Sequence, residues 1–230
     1  MTLLFVHGAG CTPDVFRAQM DAFAGAFAPG LPGHGKPGSG ASIEEYSDFV
    51  EAFARDNHVV DIVLCGHSMG AAVALTCAAR GSLDIKGVVV LGGGATMPVS
   101  DAMLQGMQTD FDATSRRLAK AFFADPAPEC VDWAAAMLAT VGMDQTLADF
   151  RACAAFDARP WLSDIQAPLL AVTGAADRLM PGEMADDLVG RVAGAQARRV
   201  ESAGHFAPVE RAGAVNQLIR DFVDGVPVRG

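Results

Sequence analysis

Four short runs of the chain are apolar without interruption: Leu3-Leu4-Phe5-Val6, Ile62-Val63-Leu64-Cys65, Val88-Val89-Val90-Leu91 and Leu169-Leu170-Ala171-Val172. A fifth, weaker run is Ala197-Arg198-Arg199-Val200. A strand with one wet face alternates apolar and polar residues, whereas a strand covered on both faces does not. These runs therefore predict a parallel sheet. A further short strand is expected near Ala26-Phe27-Ala28, ahead of the Pro/Gly-rich loop over 29–40. The expected total is about six strands.

Between the runs, apolar positions fall at helical spacing. Helices are predicted over about 13–23, from Ser42 onward, from Met69 to Arg80 with Gly81 as the stop, and near 181–189 and 208–223. Ser42-Ile43-Glu44-Glu45 has the S-x-x-E form that covers free backbone N–H groups at a helix start. Tyr46, Phe49, Val50 and Phe53 follow on one face. Strands alternating with helices predict an α/β fold: an open, mostly parallel sheet flanked by helices on both faces. From about 95 to 157 the rhythm breaks. The spacing stays helical, no strand stands out, and Pro98, Pro126 and Pro128 punctuate the stretch. The expected organisation is an α/β core of residues 1–94 and 158–230. Residues 95–157 form a small helical cap inserted after the fourth or so strand.

The composition agrees with this picture. A chain of 230 residues fits one domain with an insertion, and 51% apolar against 19% charged residues excludes wholesale disorder. Lys and Arg number 17 against 27 Asp and Glu, a formal charge of −10. That balance disfavours nucleic acid or an anionic membrane as the partner. No apolar run reaches the ~18–20 residues of a membrane helix. The first residues lack a basic stretch and a cleavage site, and read as a strand. Five cysteines without a C-x-x-C give neither a disulfide framework nor a zinc ribbon, so a reducing cytoplasm is expected. Cys65 and Cys77 read as small core residues.

The strongest chemical signal is Gly66-His67-Ser68-Met69-Gly70, which follows a predicted strand and opens a predicted helix. G-x-S-x-G in that setting is a nucleophile elbow, a tight turn that lifts the serine hydroxyl clear of the sheet. Such a serine needs a base, and the base needs an orienting acid. Functional groups of open α/β sheets gather at the carboxyl ends of strands. Asp177 follows the Leu169 run and His205 follows the Ala197 run, so Ser68, Asp177 and His205 are the candidate triad. Asp164 and Asp157 are reserve acids. The Gly-rich end of the first strand, His7-Gly8-Ala9-Gly10-Cys11, would turn backbone N–H groups toward a developing oxyanion. Ala9 is the first candidate donor and Gly10 the next, with Met69 N–H as the second member of the pair.

These pieces resemble the α/β-hydrolase fold superfamily, in its short esterase-like branch. The carriers are Val6-His7-Gly8-Ala9-Gly10, Leu31-Pro32-Gly33-His34-Gly35, the Ser68 elbow, Gly174-Ala175-Ala176-Asp177 and Ala203-Gly204-His205-Phe206. The resemblance implies a serine hydrolase acting on a carboxylic ester, without a cofactor. Many relatives carry an N-terminal hairpin before the first of these strands, and here it is expected to be reduced or missing. Their D-x-P-G-x-G-x-S loop has Gly30 and Pro37 in place of its Asp and Ser, which leaves the loop a structural role. C–C bond hydrolases, acyltransferases, lactonases and perhydrolases would use the same triad. A non-catalytic ligand receptor can keep the same fold.

Other residues carry less. His7 and His67 read as turn-shaping residues, His34 receives no role, and His58 is expected at a helix end. No cluster has metal-ligand spacing, and no nucleotide-binding loop is present. In the cap, Met97, Phe122, Phe123, Trp133 and Met137 are candidates for an apolar pocket over Ser68. Asp110, Asp112, Arg116, Arg117 and Lys120 read as a solvated helix face.

Overall fold

The computed structural model describes residues 1–35 and 38–227; Pro37 lies outside the described residues. Five strands form one all-parallel sheet: β1 Thr2–Val6, β2 Ile62–His67, β3 Ile85–Leu91, β4 Leu169–Gly174 and β5 Gln196–Val200, in the spatial order β1-β2-β3-β4-β5. Among the described residues the sheet has five strands, where about six were expected. The segment near Phe27 makes a single parallel bridge to Leu4 on the outer edge of β1. Its two hydrogen bonds run from Phe5 N–H to Phe27 O and from Phe27 N–H to Leu3 O.

The uninterrupted apolar runs have a direct physical basis. Within each strand, neighbouring residues point to opposite faces, and both faces are covered. Leu4, Leu64, Val90 and Ala171 enter one core, while Phe5, Cys65, Val89 and Val172 enter the other. The first core takes in α2 Ile43–Asp56, α3 Met69–Arg80 and α8 Gly182–Val189. The second takes in the 3-10 turn Pro13–Phe16, which leads into α1 Arg17–Ala22, and α10 Ala212–Gly225, which follows the one-turn α9 Ala207–Glu210. β5 is the exposed edge strand, which is why its sequence is the weakest of the five.

Helix limits follow local chemistry. Ser42 Oγ accepts Glu45 N–H at 3.1 Å, and Glu45 Oε2 accepts Ala41 N–H at 2.8 Å. A serine cap of this kind contributes ~1 kcal/mol. α3 stops at Gly81.

Between β3 and β4 lie four helices: α4 Asp101–Thr109, α5 Phe111–Ala121, α6 Pro128–Val141 and α7 Met143–Ala155. Ser100 and Asp110 cap the first two, and Pro128 opens the third at a position where no N–H is needed. The chain leaves and returns through an antiparallel bridge between Thr96 and Asp157. The insertion thus follows the third strand, because the segment at Phe27 is too short to count as one. Asp110, Asp112, Arg116, Arg117 and Lys120 are all exposed. Buried residues of α5 and α6, such as Leu118 and Leu138, share the second core with the sheet. No described helix is long and apolar enough to cross a membrane.

Candidate active site

The parallel register sets Val6 beside Gly66 and Gly66 beside Val90. The carboxyl ends of the strands therefore line up, and the loops that leave them converge. Ser68 sits between β2 and α3 at φ 54°, ψ −120°, a combination that costs of order 1–3 kcal/mol for a residue with a side chain. Leu91 O holds its N–H at 2.9 Å. The flanking glycines are required by contact: a Cβ on Gly66 would strike the Gly70 carbonyl, and one on Gly70 would strike the Val6 carbonyl. Ser68 makes no side-chain cap bond to α3. The residue lines the cavity instead, at the positive end of the helix.

His205 and Asp177 arrive from the loops after β5 and β4. Asp177 Oδ2 lies 2.9 Å from His205 Nδ1, with both side chains buried. Asp177 accepts at Nδ1, so that nitrogen carries the hydrogen and Nε2 is left as the acceptor. Burial alone would raise the Asp177 carboxyl. The His205 ring beside it, together with Met180 and Leu179 N–H, overcomes burial and holds it below the ordinary carboxylate range. The reserve acids lie elsewhere: Asp164 is exposed, and Asp157 is exposed and paired with Arg159.

His67 turns out to be a support for this pair. Its Nε2–H donates to the His205 carbonyl at 2.9 Å. Burial, with the neighbouring His205 second, pushes its pKa down to about 3, so the ring stays neutral. On the far side, Glu210 spans the His205 loop and the segment that follows α5. Its carboxylate accepts Gly204 N–H at 2.6 Å and Ala124 N–H at 2.8 Å. Phe206 N–H adds a bond to Phe122 O at 2.8 Å.

The loop after β1 carries the candidate oxyanion donors. His7 Nδ1–H donates to Gly8 O at 3.1 Å and His7 Nε2 accepts Leu31 N–H at 3.1 Å. Burial, with His34 next to it, lowers its pKa to about 3, consistent with that neutral tautomer. Gly10 N–H is taken by Asp149 Oδ2 at 2.8 Å, so Gly10 does not serve as the alternative donor. Ala9 borders the cavity, and among the described residues its N–H has no hydrogen-bond partner. Met69 N–H belongs to the first turn of α3, where no intrahelical acceptor exists.

Ser68, His205 and Ala9 open onto one cavity of about 70 Å³. Its walls are apolar: Met97, Met103, Leu118, Phe122, Phe150 and Leu179 are prominent, and among the described residues no Asp, Glu, Lys or Arg lines it. Of the five cap residues expected there, Met97 and Phe122 line it. Phe123, Trp133 and Met137 do not. Phe123 and Trp133 pack edge-on against Phe206, at 5.5 and 6.2 Å between ring centroids, and Met137 is buried in the second core. Periodicity marked them as buried but did not say which side they bury. Among the described residues, no group of three or more His, Cys, Asp or Glu side chains is placed to hold a metal ion.

A half-buried serine and a buried histidine–carboxylate pair stand together at the ends of parallel strands. Residues 3–218 match the alpha/beta hydrolase family, and the chain belongs to that family. Among curated proteins, it is 28% identical to a pimeloyl-[acyl-carrier protein] methyl ester esterase of Aromatoleum aromaticum, over 97% of this chain and 98% of the relative. Among solved structures, an esterase from Exiguobacterium antarcticum superposes with a TM-score of 0.89 at 19% identity, covering 98% of this chain and 92% of the other. An enol-lactonase from Burkholderia xenovorans does so with a TM-score of 0.89 at 20% identity, covering 97% and 91%.

Proposed function

We propose that the protein is a serine hydrolase that cleaves carboxylic esters with small to medium apolar acyl groups. The observation that carries this reading is the union of Ser68, the His205–Asp177 pair and a small uncharged cavity. Ser68 Oγ attacks the acyl carbonyl while His205 Nε2 takes its proton. Asp177 holds the imidazole tautomer and stabilises the imidazolium that forms. Ala9 and Met69 N–H receive the oxyanion of the tetrahedral intermediate. His205 returns the proton to the leaving alkoxide, and the acyl-enzyme forms. Water, deprotonated by His205, then releases the acid. No step calls for a cofactor.

The cavity supports the choice of acyl group. At about 70 Å³ it is half the ~150 Å³ of an apolar cavity that takes up benzene, so a short chain fills it. The absence of charged walls disfavours acyl groups that carry a second carboxylate. Residues 95–157 act in this reading as a cap that sets chain length, and the five unpaired cysteines fit a reducing, cytoplasmic setting. The test is a panel of esters varied in acyl and alcohol length, with lactones and thioesters as further arms, run on wild type and Ser68→Ala. Turnover of short apolar esters that vanishes in a folded Ser68→Ala supports the reading. Turnover that survives the substitution refutes it.

A further inference from the structure

Beside the cavity lies a second buried polar cluster that the mechanism above leaves idle. Its centre is Asp149 on α7, with no solvent exposure. Asp149 Oδ2 meets Gly10 N–H and His34 Nε2, each at 2.8 Å. Asp149 Oδ1 meets the Tyr46 hydroxyl and, at 3.0 Å, the Gln145 amide. These partners come from the loop after β1, the Pro/Gly-rich loop, α2 and α7 itself. Only the Gly10 bond reaches the catalytic site.

That bond acts on Ala9 through geometry. Ala9 stands between two peptide planes. Through its carbonyl, the Gly8–Ala9 plane is held by His7 Nδ1–H at 3.1 Å and Cys11 N–H at 3.2 Å. Asp149 holds the Ala9–Gly10 plane by its N–H. Peptide units are planar, and Ala9 N–H lies in the first of these planes; bonds to its one carbonyl oxygen leave that plane free to rock, and holding the second plane across Ala9 Cα restrains the rocking. The loop has no ladder of its own to do this. Gly10 sits at φ +62°, and a Cβ there would lie 2.5 Å from Leu138 Cδ2 and 3.0 Å from Thr146 Cγ2, so the loop rests directly on α6 and α7. A buried polar cluster is a weak source of stability, because apolar side chains of similar volume often do as well. What a carboxylate adds here is a direction for one N–H.

We propose that Asp149 is a positioning residue for the reaction: by accepting Gly10 N–H it aims Ala9 N–H into the oxyanion site, so that α7 of the inserted helices sets the geometry of a donor carried by the sheet. This rests on the serine-hydrolase reading and extends it to a residue with no contact to substrate.

The readout is the rate at which a fluorophosphonate labels Ser68, which needs the oxyanion donors but no knowledge of the natural ester. Asp149→Ala should slow labelling roughly 10- to 100-fold, below the ~10²–10³ loss from deleting an oxyanion donor outright. On a short ester, kcat should fall by the same factor with KM nearly constant, the mark of an interaction made only in the transition state. Asp149→Asn keeps an oxygen for Gly10 and should recover most of the rate. Tyr46→Phe removes a partner of Oδ1 alone, and should lower Tm while leaving the rate near wild type. If Asp149→Ala does not fold, Asp149→Leu, closer in volume, carries the same comparison. A folded Asp149→Ala or Asp149→Leu labelled at the wild-type rate overturns the proposal. So does a Tyr46→Phe slowed as much for the same loss of Tm. A wild type that is never labelled at Ser68 overturns the serine-hydrolase reading, and this proposal with it.

Discussion

Phe122 and Phe123 are adjacent and almost equally buried, at 3% and 4% exposure, but they face different things. Phe122 lines the cavity and stacks on Phe206 with ring centroids 4.1 Å apart. Phe123 packs on Phe206 from outside the cavity lining. Replacing either by alanine should cost ~3–5 kcal/mol, a large part of the ~5–15 kcal/mol available to a native chain. At roughly 2–4 °C per kcal/mol for a chain of this size, both melts should fall by about 10 °C. Only Phe122→Ala adds room next to Ser68. Each methylene that fills such room returns ~0.8 kcal/mol, about fourfold in kcat/KM. Three added methylenes are then worth roughly sixtyfold. In wild type, kcat/KM should rise from acetyl toward butyryl or hexanoyl and then fall. In Phe122→Ala the peak should move about three methylenes outward, while in Phe123→Ala it should stay in place despite the lower Tm. The assay is kcat/KM over a nitrophenyl ester series from acetate to dodecanoate, with thermal melts on the same samples. Equal shifts in both variants, or a shift in neither, would refute the assignment of Phe122 as the wall that limits acyl length.

Ser68→Gly should abolish turnover yet raise stability by ~1 kcal/mol, because glycine accepts φ 54° without strain; a melt below wild type contradicts the strain. Asp177→Asn should lower kcat by roughly 10⁴, as expected when the imidazole loses its orienting carboxylate. Asp177 is depressed in the fold, so its contribution to stability is present above the unfolded carboxyl pKa of ~3.9 and is lost as pH falls through the folded value. The stability gap between wild type and Asp177→Asn should therefore be level from neutral pH down to about pH 4 and close in stronger acid; a gap that widens there contradicts the pairing. Glu210→Ala strands Gly204 and Ala124 N–H, and should cost ~1–3 kcal/mol together with a fall in kcat as the His205 loop loosens. Unchanged kcat in Glu210→Ala would show that the strap supports the fold alone.

The sheet was readable from the chain because four of its strands are covered on both faces, which leaves four apolar residues in a row in each. The edge strand β5 and the bridge at Phe27 were the poorly marked ones, since an edge needs little apolar surface. Ser68, Asp177 and His205 were readable because each stands just past a strand end, within a turn that demands small residues. Asp149 gave no such sign. It lies mid-helix among alanines and phenylalanine, and its partners Gly10, His34 and Tyr46 are more than a hundred positions away. Glu210 is similar: one carboxylate on a one-turn helix, whose worth lies in two backbone N–H groups from separate segments. Local patterns mark elements and turns, whereas a side chain that ties distant segments together becomes visible only when they meet.

An acyl-enzyme on Ser68 is the intermediate that every step above requires, and it can be trapped. Wild-type protein mixed with an excess of a short nitrophenyl ester, quenched in acid within the first turnover and mapped by peptide mass spectrometry should carry one acyl group on Ser68. The nitrophenol burst should match the enzyme concentration, and neither burst nor adduct should form in Ser68→Ala. An acyl group on another residue, or steady turnover by a folded Ser68→Ala, would contradict the account.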